Sequence, residues 1–314
     1  MSGAMTTGQA AVIEPILTEH ARGYTNSEMV AARLFPVVDI PNRSMRVIRF
    51  GKEDFRRVQT RRAPGAATGR LEFGYASDPV SLPQDSLEAV VPTETQEEAA
   101  KVPGFDLGRI SVDRVLAMAK LGVEIDSAGL ARNPATYAAG NKLLLSGSSR
   151  WNDDASKPKD DVDAARDVVR RQIGRKPNVL MLGSPVASAL QRHARIKEQF
   201  KYTSADSVTV QMLARYFDID EVVVGEGVYL PDTAADDAAA QDIWGNDAIL
   251  AYVNKGKDYQ SPSFGYNYRL KGYPIVEAPY HERNRKSWIY PVTWEERPYV
   301  TGGEAGFLFQ NAGG

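Results

Sequence analysis

Three histidines stand in this chain, His20, His193 and His281, and there is no cysteine. A thiolate metal site, a disulfide framework and a cysteine nucleophile are therefore excluded. The imidazoles lie far apart in sequence, and Arg285 occupies the place where His281-Glu282 would need its second histidine to make a zinc-protease helix. All three read as surface or interface histidines. The glycine loops that cradle phosphate or a dinucleotide are missing, as is Gly-x-Ser-x-Gly, so no nucleophile elbow exists. Val179 to Pro185 runs strand, glycine, helix start, and without cradle glycines it reads as a plain βα turn. Acid pairs recur at Asp153-Asp154, Asp160-Asp161 and Asp236-Asp237. A glycosidase would use such carboxylates as acid and base. Their polar, loop-like surroundings favour helix capping and solvated charge instead. The expectation is a protein that is not an enzyme, with no catalytic, cofactor-binding or metal-ligating residue and no cofactor.

What the sequence does concentrate is charge. Over 314 residues, 38 basic and 40 acidic side chains leave a formal charge of only -2, unlike a dedicated nucleic-acid binder. Residues 43–70 nevertheless hold nine basic residues against two acidic, a net charge of +7. Residues 71–100 hold seven acidic residues and no lysine or arginine, a net charge of -7. The basic run (Arg46, Arg49, Lys52, Arg56, Arg57, Arg61, Arg62 and Arg70 among them) is read as a protein-contact surface, because a compensating acidic segment follows at once. Contact with nucleic acid is the alternative.

The elements that would carry these residues can be read from periodicity. Residues 1 to about 40 look like an arm, polar at first and then briefly amphipathic around Ala11-Val-Ile-Glu-Pro-Ile-Leu17. Such an arm needs another surface to order it. Met45 to Phe50 and Arg70 to Tyr75 read as extended pieces around a turn-rich tip at 63–69. Four prolines between 76 and 104 disfavour regular helix there.

Leu107, Ile110, Val115, Met118, Leu121, Ile125 and Ala128 step at helical spacing, and Asn133-Pro134 ends the run. At about 1.5 Å per residue this helix approaches 40 Å, the length of a structural spine. Beyond Trp151, helix and strand alternate. Asp160 or Asp161 is expected to cap a helix that stops at Gly174. A strand follows over 178–182, and Ser184 is expected to cap the next helix, with Pro185 in its first turn. A short helix over 209–216 and a strand over 221–224 complete this α+β block. Residues 255–314 read as strand-like, with aromatics such as Tyr266, Tyr268, Trp288 and Tyr290 between turn residues. Sheet core and subunit interface are the readings for these aromatics, ahead of sugar or base stacking. The N-terminal residues show no secretory signal and no apolar run approaches the roughly 20 residues of a membrane span.

Several stretches resemble, as a set, one branch of the tailed-bacteriophage major capsid proteins. They are Asn133-Pro-Ala-Thr-Tyr-Ala-Ala-Gly-Asn141, Gly174-Arg-Lys-Pro-Asn178, Val222-Val-Val-Gly-Glu226, Trp244-Gly-Asn246, Tyr273-Pro-Ile-Val276, Lys286-Ser-Trp-Ile-Tyr290 and Phe307-Leu-Phe-Gln-Asn311. The resemblance implies an α+β fold, the tailed-phage major capsid fold, whose parts map as an N-terminal arm (1–41), an extended loop or E-loop (42–92), a P-domain with the spine helix (93–150 and 255–300) and an A-domain (151–254 and 301–314). It implies a structural subunit that assembles with itself into hexamers and pentamers of an icosahedral head, part of the virion, built in the host cytoplasm around genomic double-stranded DNA held by non-specific contact. Further implied partners are a portal protein, a decoration protein in some cases and a separate scaffolding protein, since no long cleavable N-terminal segment is expected; no membrane partner is implied. An encapsulin-like compartment shell is the alternative within the same fold. A soluble carbohydrate- or nucleic-acid-active enzyme is the alternative from another class.

Overall fold

The computed structural model describes residues 13–25, 29–47, 61, 79–103, 106–200, 208–235, 237–256 and 261–314. Helix α1 (Pro15–Gly23) opens on a proline, whose missing N–H is no loss in a first turn. A short turn of helix, α2 (Ala31–Leu34), leads into strand β1 (Val37–Ile40). The segment expected to need a foreign surface is in its second half bedded in the chain itself. Leu34 and Phe35 are buried, and β1 pairs in parallel with residues 267–270.

Strands β2 (Ser44–Arg46) and β3 (Pro79–Ser81) pair with each other, and β4 (Asp85–Pro92) follows. Helix was not expected among these prolines, yet α3 (Thr93–Ala99) begins directly after Pro92. A proline just before a helix start breaks no hydrogen bond, which is why the rule failed at this point. The expected spine is present as α4 (Leu107–Arg132), its N-terminus capped by the Asp106 carboxylate on the Arg109 N–H and its end marked by Asn133. Its inward face differs from the expected apolar stripe. Val112, Val115, Leu116 and Ala128 are buried with Glu124 and Ser127, whereas Met118 points outward.

Strand β5 (Lys142–Leu144) and helix α5 (Pro158–Ile173) come next. The cap expected from Asp160 or Asp161 is not made: the helix starts earlier, at Pro158, and both acids sit in the first turn, where they complement the helix dipole. Gly174 ends the helix in the left-handed region at φ 70°, as its position predicts. After β6 (Val179–Gly183), Ser184 is the first residue of α6 (Ser184–Arg192) and makes no side-chain cap. The turn is too tight to leave it outside the helix, and adding a Cβ to Gly183 would drive it into the Gly245 carbonyl. Helices α7 (Ala194–Phe200) and α8 (Val210–Phe217), the latter capped by Thr209, precede β7 (Glu221–Gly225). The remainder is strand: β8 (Val228–Tyr229), β9 (Gln241–Asp242), β10 (Ala248–Ala251), β11 (Gly265–Leu270), β12 (Ile275–Val276), β13 (Tyr280–Glu282), β14 (Ser287–Trp294), β15 (Glu296–Val300) and β16 (Gly306–Gln310).

The central sheet has the order β5-β16-β10-β6-β7. Alternate residues of its strands feed two cores. Leu180, Leu182, Leu250 and Phe309 face α5, α6 and α8 with Trp151, while Met181, Ile249 and Leu308 face Phe35, Trp244 and the C-terminal half of α4. All five residues of β6 are buried, the pattern of a strand covered on both sides. The N-terminal half of α4 packs instead on a sheet in which β14 pairs β4 along one edge and β12 and β13 along the other. A third sheet, β1-β11-β15, bridges the two bodies.

Candidate assembly surfaces

The chemistry-bearing side chains are dispersed and occupied. His20 Nε2 lies 2.6 Å from an Asp113 carboxylate oxygen and ties α1 to α4. His193 is buried, with Nε2 3.1 Å from Ser156 Oγ and 3.2 Å from the Asp153 carbonyl. His281 stands edge-on to Trp288, with Nε2 3.3 Å from Thr93 Oγ1. Among the described residues no three histidine, aspartate or glutamate side chains gather as a metal site would require. Two of the acid pairs contribute structural hydrogen bonds. Asp153 accepts from the Ala155 N–H and Asp154 from the Ala194 N–H, which opens α7. Asp161 accepts from the Trp151 indole at 2.9 Å, and burial pushes its carboxyl above the ordinary range. Asp237 is exposed; Asp236 lies outside the described residues.

Three buried carboxylates, none of them singled out by the sequence, tie distant segments of the body together. Glu124 on α4 is 2% exposed and accepts from the Val30 N–H (3.1 Å), the Ala31 N–H (2.8 Å) and the Trp244 indole (2.7 Å). One carboxylate thus fastens the N-terminal segment, the spine and the turn before β10. Burial raises its pKa, opposed by those three donors. Arg132, at the end of α4, donates to Asp247 at 2.8 Å and to the Ile243 carbonyl. Arg43 forks onto the fully buried Glu295 at 2.7 and 2.8 Å, which raises the guanidinium pKa further. Arg43, though exposed, is therefore tied to the body through Glu295, and the basic run is one free cation smaller than the sequence count.

Of the basic residues expected to make contacts, Arg46 and Arg61 are described and exposed; Arg49, Lys52, Arg56, Arg57, Arg62 and Arg70 lie outside the described residues. The acidic run is better defined. Asp85, Glu88, Glu94, Glu97 and Glu98 are exposed along β4 and α3, in no ion pair with a described residue. Among the described residues β14 alone pairs β4, and Leu87 and Val90 are exposed on that strand. A second exposed element is the β8–β9 hairpin, held to the body through Tyr229 and Gly227, in which Val228 and Leu230 are exposed among acids. Among the described residues, these exposed surfaces stand out rather than a cleft with converging groups.

Comparison with known proteins gives a consistent picture. Residues 137–289 match the family model described as phage major capsid protein E. The major capsid protein of Burkholderia phage BcepMu is 32% identical over 309 residues, covering 96% of this chain and 97% of that one. The crystal structure of a phage-related protein from Bordetella bronchiseptica RB50 superposes with a TM-score of 0.85 at 41% identity, over 97% of this chain and 99% of the other. The encapsulin complex of Synechococcus elongatus PCC 7942 has a TM-score of 0.54 at 12% identity, covering 96% of each chain, a likeness of fold alone.

Proposed function

This chain belongs to the phage major capsid proteins, and from that premise we propose that it builds a closed icosahedral head of hexamers and pentamers around double-stranded DNA. The observation that carries the proposal is the distribution of surface. Buried polar groups in the body are largely matched, as at Glu124, whereas acids on β4 and α3 that enter no ion pair with a described residue, and apolar side chains on β4 and the β8–β9 hairpin, stand exposed. A monomer gains nothing from such elements; repeated contacts around a shell do.

The division into an N-terminal arm (1–41), an E-loop (42–92), a P-domain (93–150 and 255–300) and an A-domain (151–254 and 301–314) belongs to the same proposal. The separate packing of the two halves of α4, on the central sheet and on the β14 sheet, supports it. The basic stretch of the E-loop, with Arg46, Arg49, Lys52, Arg56, Arg57, Arg61, Arg62 and Arg70, would meet the acidic β4–α3 strip of a neighbour. A scaffolding protein, a portal and, on the inner surface, non-specific DNA contacts complete the proposed partners. Assembly in the host cytoplasm belongs to the same reading.

Negative-stain microscopy of particles from infected or co-expressing cells tests the proposal. Regular shells retaining nuclease-protected DNA are expected from infected cells. Shells filled with an enzyme and free of DNA would shift the reading to a compartment.

A further inference from the structure

The central sheet carries two unlike, exposed patches at one end. Strands β5, β16, β6 and β7 all run in the same direction, with β10 antiparallel between β16 and β6. The C-terminal ends of β5 and β7 therefore lie at the same end of the sheet, on opposite edges. Four strand spacings separate them, about 19 Å.

At the β7 edge the chain leaves the sheet for the hairpin of residues 226–242. Glu226, Asp232, Asp237 and Asp242 are exposed there, and no lysine or arginine occurs between 226 and 254. Val228 and Leu230 are 51% and 43% exposed on the same excursion. At the β5 edge, residues 142–150 hold no acid and two bases: Lys142, at the start of the strand, whose Nζ donates to the Pro134 carbonyl at 2.9 Å, and Arg150 beyond its end. Leu143 and Leu144 are 37% and 61% exposed, and the Nε of Arg150 is buried without a hydrogen-bond partner among the described residues. The two patches complement each other: exposed apolar side chains on both, acids on one and the Arg150 guanidinium on the other. Within one copy they cannot meet across the width of the sheet.

We propose that copies of this chain join head to tail here, the 226–242 hairpin of one seating on the 142–150 edge of the next. Because the two patches differ, the contact is heterologous, and a rotation that closes it makes a ring rather than a two-fold pair. This rests on the self-assembly reading above and specifies which surfaces meet within a ring.

The absence of cysteine allows a direct test. A chain carrying Leu144→Cys and Val228→Cys is assembled and oxidised, then run on a non-reducing denaturing gel. A disulfide needs Cα atoms within about 7 Å, which the two sites of one copy do not satisfy. The expected result is a ladder of covalent oligomers from the double variant, monomers from each single variant and dimers alone from a mixture of the two singles. Leu230→Cys in place of Val228→Cys provides a second pairing; both replaced positions are exposed, so the fold tolerates them. Shells of normal appearance in which neither pair cross-links overturn this contact alone. Dimers from one single variant overturn its head-to-tail polarity. A wild-type chain that stays a monomer under the same conditions overturns the assembly reading and this contact with it.

Discussion

Strand β6 pairs with β7 in the central sheet and the β8–β9 hairpin follows β7 along the chain, yet they follow opposite rules. Every residue of β6 is buried, between the Trp151 core on one face and the Trp244 core on the other. The hairpin exposes nearly everything it has, apolar side chains included. Residues of the first kind fix the subunit, while residues of the second kind leave it unchanged and act when another surface arrives. Folding and assembly should therefore respond to different substitutions, and variants can be ranked by how sharply they separate the two.

The largest effect on folding is expected from Phe309→Ala. Phe309 is fully buried on β16 against Trp151, with ring centroids 4.9 Å apart. Its removal should cost about 3–5 kcal/mol in denaturant unfolding and abolish shells through loss of the subunit. Unfolding unchanged within error would contradict the assignment of this face as core.

A smaller loss should follow Glu124→Ala, which strands the N–H donors of Val30, Ala31 and Trp244. About 1–3 kcal/mol is expected for buried donors left unmatched. Its pH dependence has a definite sign. The folded pKa of Glu124 is raised by burial, so its carboxyl stabilises fully below the ordinary glutamate value near about 4.3 and that share is lost as pH rises through the folded value. The advantage of wild type over Glu124→Ala should narrow from acid toward neutral pH. A gap that widens would show that ionised Glu124 is favoured by its donors over its burial.

The smallest effect on folding and a clear one on assembly is expected from reversing Arg56, Arg57, Arg61 and Arg62 to Glu. Each exposed pair is worth at most about 1 kcal/mol, but the pairs recur at every interface. Melting should be unchanged and shell formation slowed, and wild-type assembly should weaken with salt, since screening acts over about 8–10 Å. Assembly indifferent to both would remove the basic run from the interface, and normal shells that lose their DNA would assign it to the genome.

How much of this was legible depended on sequence distance. The 107–132 helix, its Asn133 end, the Gly174 stop and strands β6 and β7 all announce themselves by local spacing and capping chemistry. The short helix after Pro92 did not, because proline forbids a helix interior and tolerates a helix start. Long-range pairings were silent. Nothing near Val37 says that it will lie beside Asn267, and nothing near Glu124 distinguishes a buried acid from a solvated one until Trp244 and Ala31 arrive. Arg43 was counted with the free cations for the same reason, its partner Glu295 lying 252 residues away. The resemblance to capsid proteins rested on scattered short stretches, several of which fall in the buried strands and turns of the central sheet.

The separation of a finished body from unfinished surfaces rests above all on self-association. Light scattering of the purified chain across protein concentration, with and without a co-expressed scaffold, measures it directly. The account predicts masses at multiples of the 34.5 kDa subunit, rising through rings to closed shells; a single 34.5 kDa species under every condition would contradict it.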